Sequence, residues 1–541
     1  MTTTRRRIAL TAAATALLAA GAAPASASAT VFCVPDNAVH GTCQTAQADL
    51  QTALNSAEAN VGSDTVRLGA GTFTAAALTG FRYESGNGSV SIIGSGEAQT
   101  TLTHPPDPGN VSGIINNVLY LDSTAAGSSV SNLTASIPLP TGFMFSNQHR
   151  TVQVPQAQID HVTVTAPGGT ALNAYGFWLD TGSTTIDNST VSLPAPGGQF
   201  GVITNSSSAA QVEDSTITAR AGFLLRGTGQ INGVKRSTIN VLGNSAGIDL
   251  EDGTLNLESS VIDLGATSGF GVYSDGATGP TTATLNLDNA TIVGTNAGAA
   301  GVRVQAIDAA QADTLTANLT NSVISGPGTP IRRDADQMDT ANVITSYSNY
   351  NPAGNISSNG ANGMGAITES NRTNLAPGFI NPATGDYHLI STSQLIDIGD
   401  PAPPAPGALD IDGDPRALDG LFDCVSLARR DIGADEFVGP GLMDCTPPSP
   451  ADVSSPDTSI TGKSKVRTRK KKARVTFTLG TTEPGSRFEC SVDSKPFSPC
   501  LSPFSTRLRL GKHLLMVRST DLVGNADATP ASFPVKVKPK R

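Results

Sequence analysis

The sequence is poor in charged and aromatic residues. Only 15% of its 541 residues are Asp, Glu, Lys or Arg, only 5% are aromatic, and there is a single Trp. A chain this low in charge does not have the composition of a long disordered segment. Glycine (56 residues) and proline (34 residues) are common instead. This combination is typical of turn-rich, all-β proteins.

Long apolar runs are absent after the N-terminus. Residues 1–29 have the pattern of a signal peptide, with three arginines at 5–7, an Ala- and Leu-rich run at 8–23 and small residues suited to cleavage at 25–29. The start TRRRIA also fits a twin-arginine signal, so both export routes stay open. No later stretch is long and apolar enough for a membrane-spanning helix. We therefore expect the protein to be secreted. If it is retained at the cell surface, we expect the attachment to use something other than a membrane-spanning helix.

Cysteine is scarce, with six residues in three close pairs. None has the spacing of zinc ligands, and no histidine accompanies them, so we expect no metal site there. Structural disulfides in an oxidising compartment are the simpler interpretation. Other connectivities stay possible, but proximity favours local pairs. These are Cys33–Cys43, Cys424–Cys445 and Cys490–Cys500.

A short unit that begins with glycine recurs between residues 174 and 350. The six copies are GFWLD (176–180), GVITN (201–205), GFLLR (222–226), GIDLE (247–251), GVYSD (271–275) and GVRVQ (301–305). Their glycines lie 21 to 30 residues apart, and the strands between them are short and rich in β-branched residues. Such a period predicts a parallel solenoid, in which each unit, or rung, buries its apolar face by stacking on the next.

Alternation along a strand predicts which residues of each unit point inward. We expect the first and third residues after each glycine to be buried. They are Phe177, Val202, Phe223, Ile248, Val272 and Val302, and then Leu179, Thr204, Leu225, Leu250, Ser274 and Val304. We expect the second and fourth to point outward. They are Trp178, Ile203, Leu224, Asp249, Tyr273 and Arg303, and then Asp180, Asn205, Arg226, Glu251, Asp275 and Gln305.

A second column of residues marks a turn in each rung. Its members are Asn132, His161, Asn188, Asp214, Arg236, Ser259, Asn289 and Asn321. Asn and Asp tolerate tight turns, and side chains stacked about 4.8 Å apart can bond from rung to rung. The column resembles the asparagine ladder of right-handed parallel β-helices of the pectate-lyase-like fold. The resemblance implies an all-β protein with a right-handed parallel β-helix at residues 64–375. We expect this β-helix, with the segment that follows it, to form one body of about nine to eleven rungs from residue 64 to about residue 440.

The segments on either side of the repeats are expected to cap the solenoid. Residues 44–60 predict an amphipathic helix with apolar residues at 50, 53, 54 and 57, within an N-terminal cap at 30–63. This opening resembles exported bacterial β-helix proteins that carry the CSLREA motif, although the hexad itself reads CQTAQA here. The motifs GDYHL, DIDGDPR and DIGADEF in residues 376–445 resemble the family called choice-of-anchor Q. That resemblance implies a C-terminal cap, and the family name does not by itself imply an enzymatic activity.

A linker rich in Pro and Ser at 446–458 precedes a last domain. Residues 459–541 alternate as short strands and resemble bacterial Ig-like modules, which implies a small β-sandwich with one disulfide. Residues 457–541 hold 18 Lys/Arg against 6 Asp/Glu, a net charge of +12, and the rest of the chain has a net charge of −22. The run KSKVRTRKKKAR (463–474) is either a strand edge guarded by lysine, or a contact for an anionic envelope polymer or for the acidic β-helix. We expect no nucleic acid partner, because no aromatic residue interrupts the basic run.

The catalytic motifs of the resembling enzymes are absent. IDH (159–161) echoes part of a pectate-lyase motif, but Arg-x-Pro-x-x-Arg and the polygalacturonase motifs are missing. His161 occupies a turn position instead. Because fold alone does not carry function, we assign no catalytic residue from this resemblance.

Three outward carboxylates, Asp249, Glu251 and Asp275, lie on neighbouring rungs, and the last two are expected about 5 Å apart. That spacing is close to the spacing in retaining glycosidases and also suits calcium. We favour a solvated acidic patch balanced by Arg226, because no desolvated general acid is visible in the sequence. The run DIDGDPR (410–416) does not follow the EF-hand pattern, so we expect no metal or cofactor.

The same outward face offers a binding groove. Trp178 and Tyr273 share a column four rungs apart, about 19 Å, with Asp180 and the three carboxylates beside them. Aromatic platforms among carboxylates suit sugar rings. Alternatively, the loop at 193–199 covers Trp178. The sequence therefore predicts an exported, non-catalytic surface or matrix protein with a polysaccharide-binding groove, and leaves a secreted polysaccharide lyase or glycoside hydrolase as the alternative.

Overall fold

The computed structural model describes residues 29–35, 43–77, 79–84, 87–106, 115–138, 148–167, 174–193, 198–276, 281–307, 312–418, 429–438, 454–521 and 524–540. The chain divides into two compact units, residues 1–444 and 445–541. The expected signal peptide (but for its last residue), Cys424, Cys445 and most of the expected linker lie outside the described residues. No helix in the described part of the chain is long and apolar enough to span a membrane.

The first unit is a parallel β-helix, as predicted. Sheet 1 consists of Phe81–Tyr83, Ile115–Leu121, Gln148–Val154, Ala174–Leu179, Gly198–Thr204, Ala221–Leu225, Ala246–Leu250, Phe270–Ser274, Ala300–Ala306, Thr329–Ala335 and Ile356–Asn359. Sheet 2 consists of Thr45–Ala46, Val31–Val34, Asp64–Leu68, Val90–Ile93, Ser128–Ser136, Ala157–Thr165, Gly182–Asp187, Ser208–Glu213, Ile231–Lys235, Gly253–Glu258, Thr282–Asp288, Thr314–Thr320, Thr340–Ser346 and Ile367–Ser370. Sheet 3 consists of Gly71–Thr74, Thr100–Thr103, the second halves of Ser128–Ser136 and Ala157–Thr165, Thr190–Ser192, Thr216–Ala219, Thr238–Val241, Val261–Asp263, Thr291–Val293 and Val323–Ser325.

The inward columns are confirmed. All twelve residues expected inside sheet 1 are at most 1% exposed, and they stack in register from rung to rung. Packing in the core requires the glycine that begins each unit. A Cβ on Gly222 would lie 2.3 Å from the carbonyl oxygen of Gly247 and 2.5 Å from Cγ2 of Ile239 in sheet 3. The missing side chain therefore makes room for the β-branched residue that fills the core.

The turn column is also confirmed in its backbone, because all eight residues have φ between 41° and 57°. Its side chains do not form an asparagine ladder. Asn188 donates to Asp160 of the previous rung and Arg236 to Asp214, since these acids lie within reach across the turn. The ladder is made one residue later by serines, whose Oγ accepts the N–H of the preceding rung at 3.0–3.2 Å. They are Ser189, Ser215, Ser237, Ser260, Ser322 and Ser348.

The N-terminal helix is shorter than expected, Leu50–Ala59, and its four apolar positions are buried. Asp49 caps it by accepting the N–H of Thr52 at 2.8 Å. The strand Val31–Val34 pairs with Asp64–Leu68, so parallel pairing begins inside the segment expected to be only a cap. The described parallel strands end at Ser370, which corrects the expected end near residue 440.

Residues 376–438, expected to cap the end, lie along the side of the β-helix in their described part. They begin with the hairpin Phe379–Asn381 and Asp386–Leu389. The backbone N–H of Asp400 donates to Asn321 at 2.7 Å, which places the segment against the turn column. Its apolar residues form a separate core with Val323. The last rung is closed from inside by Arg333, which donates to the carbonyls of Met364 and Gly365. The described residues also form the short 3₁₀ helices Ser123–Ala125, Pro352–Gly354 and Pro382–Thr384.

The second unit is a β-sandwich. One sheet contains Thr458–Gly462, Lys472–Thr481 and Phe504–Arg509, and the other contains Lys465–Thr468, Ala531–Pro539, Gly511–Thr520, Arg487–Val492 and Ser498–Cys500. The alternating residues Val475, Phe477 and Leu479 are buried between the sheets, as predicted. The Ig-like assignment stays a prediction. The expected disulfides Cys33–Cys43 and Cys490–Cys500 are both formed.

Candidate functional site

Trp178 lies in the outward column of sheet 1, but it is not an exposed platform. Its side chain is only 8% exposed and forms an apolar cluster with Ile203 and Leu224, the next two members of its column. The guanidinium of Arg150 covers the indole at 3.5 Å, and Tyr175 contacts it edge-on at 5.3 Å. The predicted register is therefore right and the predicted exposure of Trp178 is wrong, because its neighbours in the column are apolar. The loop at 193–199 falls mostly outside the described residues.

Asp180 belongs to this closed cluster rather than to an open groove. It accepts hydrogen bonds from Trp178 Nε1 at 3.0 Å, from Asn205 at 2.9 Å and from Gln153 at 2.7 Å. A carboxylate with three donors on it is already satisfied. Asp180 and Trp178 therefore hold three rungs together.

The outward column of sheet 1 changes from apolar to acidic at Asp249. This residue pairs with Leu224 of the preceding rung and with Tyr273 of the following rung. The Oδ1 atom of Asp249 is shielded from solvent and has no hydrogen-bond partner among the described residues. Burial, followed by the charges of Asp275 and Glu251, raises the pKa of Asp249 to about 7, against an opposing effect of Arg226. Asp249 thus retains its proton at a pH at which an ordinary aspartate has lost it.

The other two carboxylates have partners. Glu251 accepts a hydrogen bond from Arg226 Nε at 3.0 Å, and Asp275 accepts one from the hydroxyl of Tyr273 at 3.2 Å. Burial raises the pKa of Asp275 as well. We refer to Asp249, Glu251 and Asp275 as the carboxylate cluster. It is not the solvated patch that we favoured from the sequence, because Asp249 is a desolvated acid.

An aromatic pair borders the carboxylate cluster. The rings of Phe270 and Tyr273 are stacked with centroids 5.1 Å apart, and the guanidinium of Arg303 lies 4.9 Å from the Phe270 ring. Both rings are half-buried. Phe270 was not among the predicted site residues. Strict strand alternation would place Phe270 on the inward face with Val272, so the sequence pattern carried no signal for its position beside Tyr273.

His161 lies in the turn column with φ of 52°, and its Nδ1 is 2.8 Å from Oδ1 of Asp160. Neither residue belongs to the outward face of sheet 1, because both lie in the strand Ala157–Thr165. The turn role expected for His161 agrees with this backbone conformation.

One group of possible metal ligands occurs in the described part of the chain, away from sheet 1. His388, Asp412 and Asp435 have ligand atoms within 4.8 Å of one another. Burial opposes protonation of His388, but its hydrogen bond with Asp386 and the charges of Asp412 and Asp435 outweigh that effect and raise its pKa. In the run at 410–416, Asp410 accepts the N–H groups of Asp412 and Asp414, which is a local turn rather than an EF-hand.

No family model and no curated protein matches this chain. The likeness to solved structures is weak, as two of the matching structures show. The catalytic domain of a GH87 alpha-1,3-glucanase in complex with nigerose has a TM-score of 0.32 and 12% identity over 66% of this chain and 69% of that chain. The A-module of the Azotobacter vinelandii mannuronan C-5 epimerase AlgE6 has a TM-score of 0.21 and 13% identity over 60% of this chain and 94% of that chain. At these scores neither likeness carries an argument about function.

Proposed function

We propose that the protein is exported and binds a polysaccharide on the outer face of sheet 1, at the carboxylate cluster and Tyr273. The observation that carries this proposal is the stacked pair Phe270–Tyr273 beside Asp249, whose Oδ1 has no partner among the described residues. A sugar ring can pack its C–H face on the aromatic pair and place hydroxyl groups toward the carboxylates. In this proposal Trp178 and Asp180 stabilise earlier rungs of the same sheet and do not contact the ligand.

The charge of the site favours a neutral glycan. Three acidic groups lie in adjoining rungs, and a polymer of acidic sugars would add like charge to a partly desolvated surface. Arg226 and Arg303 border the cluster, but Arg226 is already paired with Glu251. We therefore expect uncharged or amino sugars to bind in preference to uronates.

Export rests on the disulfides. Two of the three expected pairs are formed in the structure, and stable disulfides are typical of proteins outside the reducing cytosol. The signal peptide at 1–29, the place of the chain in the choice-of-anchor Q family and an Ig-like class for the second unit belong to the same proposal. Mass spectrometry of the secreted fraction, with a mature N-terminus near residue 30, tests the export step.

Binding is tested by titrating the full chain with short neutral oligosaccharides in a calorimeter. Tyr273→Ala should weaken binding by about tenfold, the loss of roughly 1.4 kcal/mol expected when a stacking platform is removed. Tyr120→Ala is the matched control, because Tyr120 lies in the same outward column six rungs away. Equal weakening by both variants, or no binding to any neutral glycan, would contradict the proposed site.

A second candidate function is glycoside hydrolysis, favoured by the pKa of Asp249 of about 7. A general acid needs a pKa near the working pH, and a second carboxylate nearby acts as base or nucleophile. Reducing-end release from the glycan found above tests it. Asp249→Asn should abolish turnover and keep binding, whereas Asp252→Asn, which alters an adjacent carboxylate that bonds Thr228, should keep both. If the unaltered protein binds the glycan but does not hydrolyse it, glycoside hydrolysis is excluded and the non-catalytic binding function stands.

A further inference from the structure

The basic residues of the second unit face one another across its strands. In the three-stranded sheet Lys472 lies opposite Arg509, and Arg474 lies opposite Arg507. All four are exposed, while Ala473 and the other alternate residues between them are buried. The four cations therefore form a square on the outer face of this sheet.

The five-stranded sheet shows the same arrangement. Lys465 lies beside Lys536, and Lys536 lies opposite Lys512, so three strands carry one row of lysines. Arg467 lies beside Lys538 in the next row. The exposed residues Arg469, Lys470 and Lys471 connect the two sheets through one turn. We call this whole set the basic band. It consists of Lys465, Arg467, Arg469, Lys470, Lys471, Lys472, Arg474, Arg507, Arg509, Lys512, Lys536 and Lys538.

Acidic residues of the unit do not neutralise the basic band. Within the described residues of this unit, the ion pairs are His513–Asp493 and Arg518–Glu489, and neither includes a member of the band. Like charges directly opposite on neighbouring strands destabilise a sheet, since their Cβ atoms are only about 5 Å apart. The band thus lowers the stability of the sandwich and adds nothing to its core.

Protection of strand edges does not account for the basic band. Lysines that guard an edge need to be only on edge strands. Lys472–Thr481 is the central strand of its sheet, and Ala531–Pro539 and Gly511–Thr520 are interior strands of the other. Cations on these strands cannot block edge pairing, so another role is required.

We propose that the basic band binds a linear phosphodiester polymer, of the polyol phosphate kind, and so attaches the protein to an anionic surface. Cations recur about 5 Å apart across the strands and about 7 Å apart along them, which suits a chain with one negative charge per repeat. Lysine and arginine both bind phosphate oxygens well. This ligand differs from the glycan of sheet 1, where the carboxylates repel a polyanion.

The neighbours of the square favour phosphate over uronate. Beside Arg474 and Arg507 in the same sheet lie Thr476 and Ser505, whose hydroxyl groups are 2.7 Å apart. One of the two hydroxyls donates to the other, and the remaining O–H can donate to a phosphate oxygen. The aromatic residues of these two strands, Phe477 and Phe504, pack into the core of the sandwich, so neither offers its ring to a sugar of a polyuronate.

The test uses the full chain and poly(glycerol phosphate) in a calorimeter. The double variant Arg474→Gln/Arg507→Gln should weaken binding by about tenfold or more at low salt, and the unaltered protein should lose affinity steeply as salt rises. The matched control is Arg487→Gln/Lys495→Gln, which removes two exposed cations outside the band. It should weaken binding less than twofold. The melting temperature should not fall in the first double variant, because a like-charge contact is removed.

Three results would overturn the proposal. The first is equal weakening by both double variants, which would mean that net charge alone attracts the polymer. The second is tighter binding of polygalacturonate than of poly(glycerol phosphate). The third is salt-sensitive self-association without polymer binding, measured by sedimentation, which would show that the band contacts the acidic β-helix of another copy.

Discussion

Arg416 and Ser259 are 157 residues apart in sequence and joined by a hydrogen bond of 2.8 Å between Nη2 and Oγ. The arginine also donates to the carbonyls of Gly433 and Asp435 and lies 3.5 Å from Glu436. Its side chain is only 2% exposed. A single buried guanidinium thus holds the returning segment against the turn column of the β-helix.

We expect Arg416→Met to loosen this segment. The change leaves Glu436 buried without its cation, which typically costs about 3–5 kcal/mol. Limited proteolysis should then cut residues 376–438 at least tenfold faster, while the helix of stacked rungs stays intact. Arg220→Met, at an exposed position, is the control. Unchanged proteolysis in Arg416→Met would mean that the apolar contacts around Val323 suffice.

The glycine column makes a second prediction. Gly222→Ala places a methyl group 2.3 Å from a backbone oxygen and 2.5 Å from Ile239, and neither can withdraw without moving a strand. We expect a loss of about 2–4 kcal/mol in the free energy of unfolding, measured with denaturant. Gly298→Ala, where the nearest atom is 3.2 Å away on the Asn296 side chain, should change it by less than about 1 kcal/mol. If the loss for Gly222→Ala were as small as that for Gly298→Ala, the core would tolerate the extra volume.

The columns of sheet 1 could be predicted because strand alternation is geometric and one glycine sets its phase. The burial of Asp249 was missed because it depends on Leu224, 25 residues earlier, and on Tyr273, 24 residues later. Strand register places Leu224 and Tyr273 beside Asp249, but register alone does not show that these side chains exclude solvent from the carboxyl group. The return of residues 376–438 along the flank could not be predicted, since its contacts, such as Asn289 with Gly433, carry no periodic signal.

Trp178 should contribute to stability rather than to ligand binding. Trp178→Ala removes a ring packed among Arg150, Tyr175 and Leu224, and it leaves Asp180 one donor short. We expect a loss of about 3–5 kcal/mol in the free energy of unfolding. Met338→Ala, at a residue that is 67% exposed, is the control. If Trp178→Ala kept its stability and lost glycan binding, the open groove expected from the sequence would be correct after all.

Asp249 should make the stability of the β-helix depend on pH. In the folded chain its pKa is about 7, against an ordinary 3.8, so the folded state holds a proton that the unfolded state has released between these values. The free energy of unfolding therefore falls as pH rises from about 4 to 7. Asp249→Asn cannot ionise, and at pH 8 it should be more stable than the unaltered protein by about 2–4 kcal/mol, since each unit of pKa shift corresponds to about 1.4 kcal/mol.

Burial also raises the pKa of Asp275 and of Asp435, so these groups also make the free energy of unfolding depend on pH. Because both groups are present in the unaltered protein and in Asp249→Asn, the difference between the two proteins isolates the contribution of Asp249. Denaturant unfolding at pH 4, 6 and 8 should show the difference between the two proteins growing with pH. If the difference for Asp249→Asn were constant across these pH values, Asp249 would be ionised throughout, and it could not serve as the acid of a hydrolase at neutral pH.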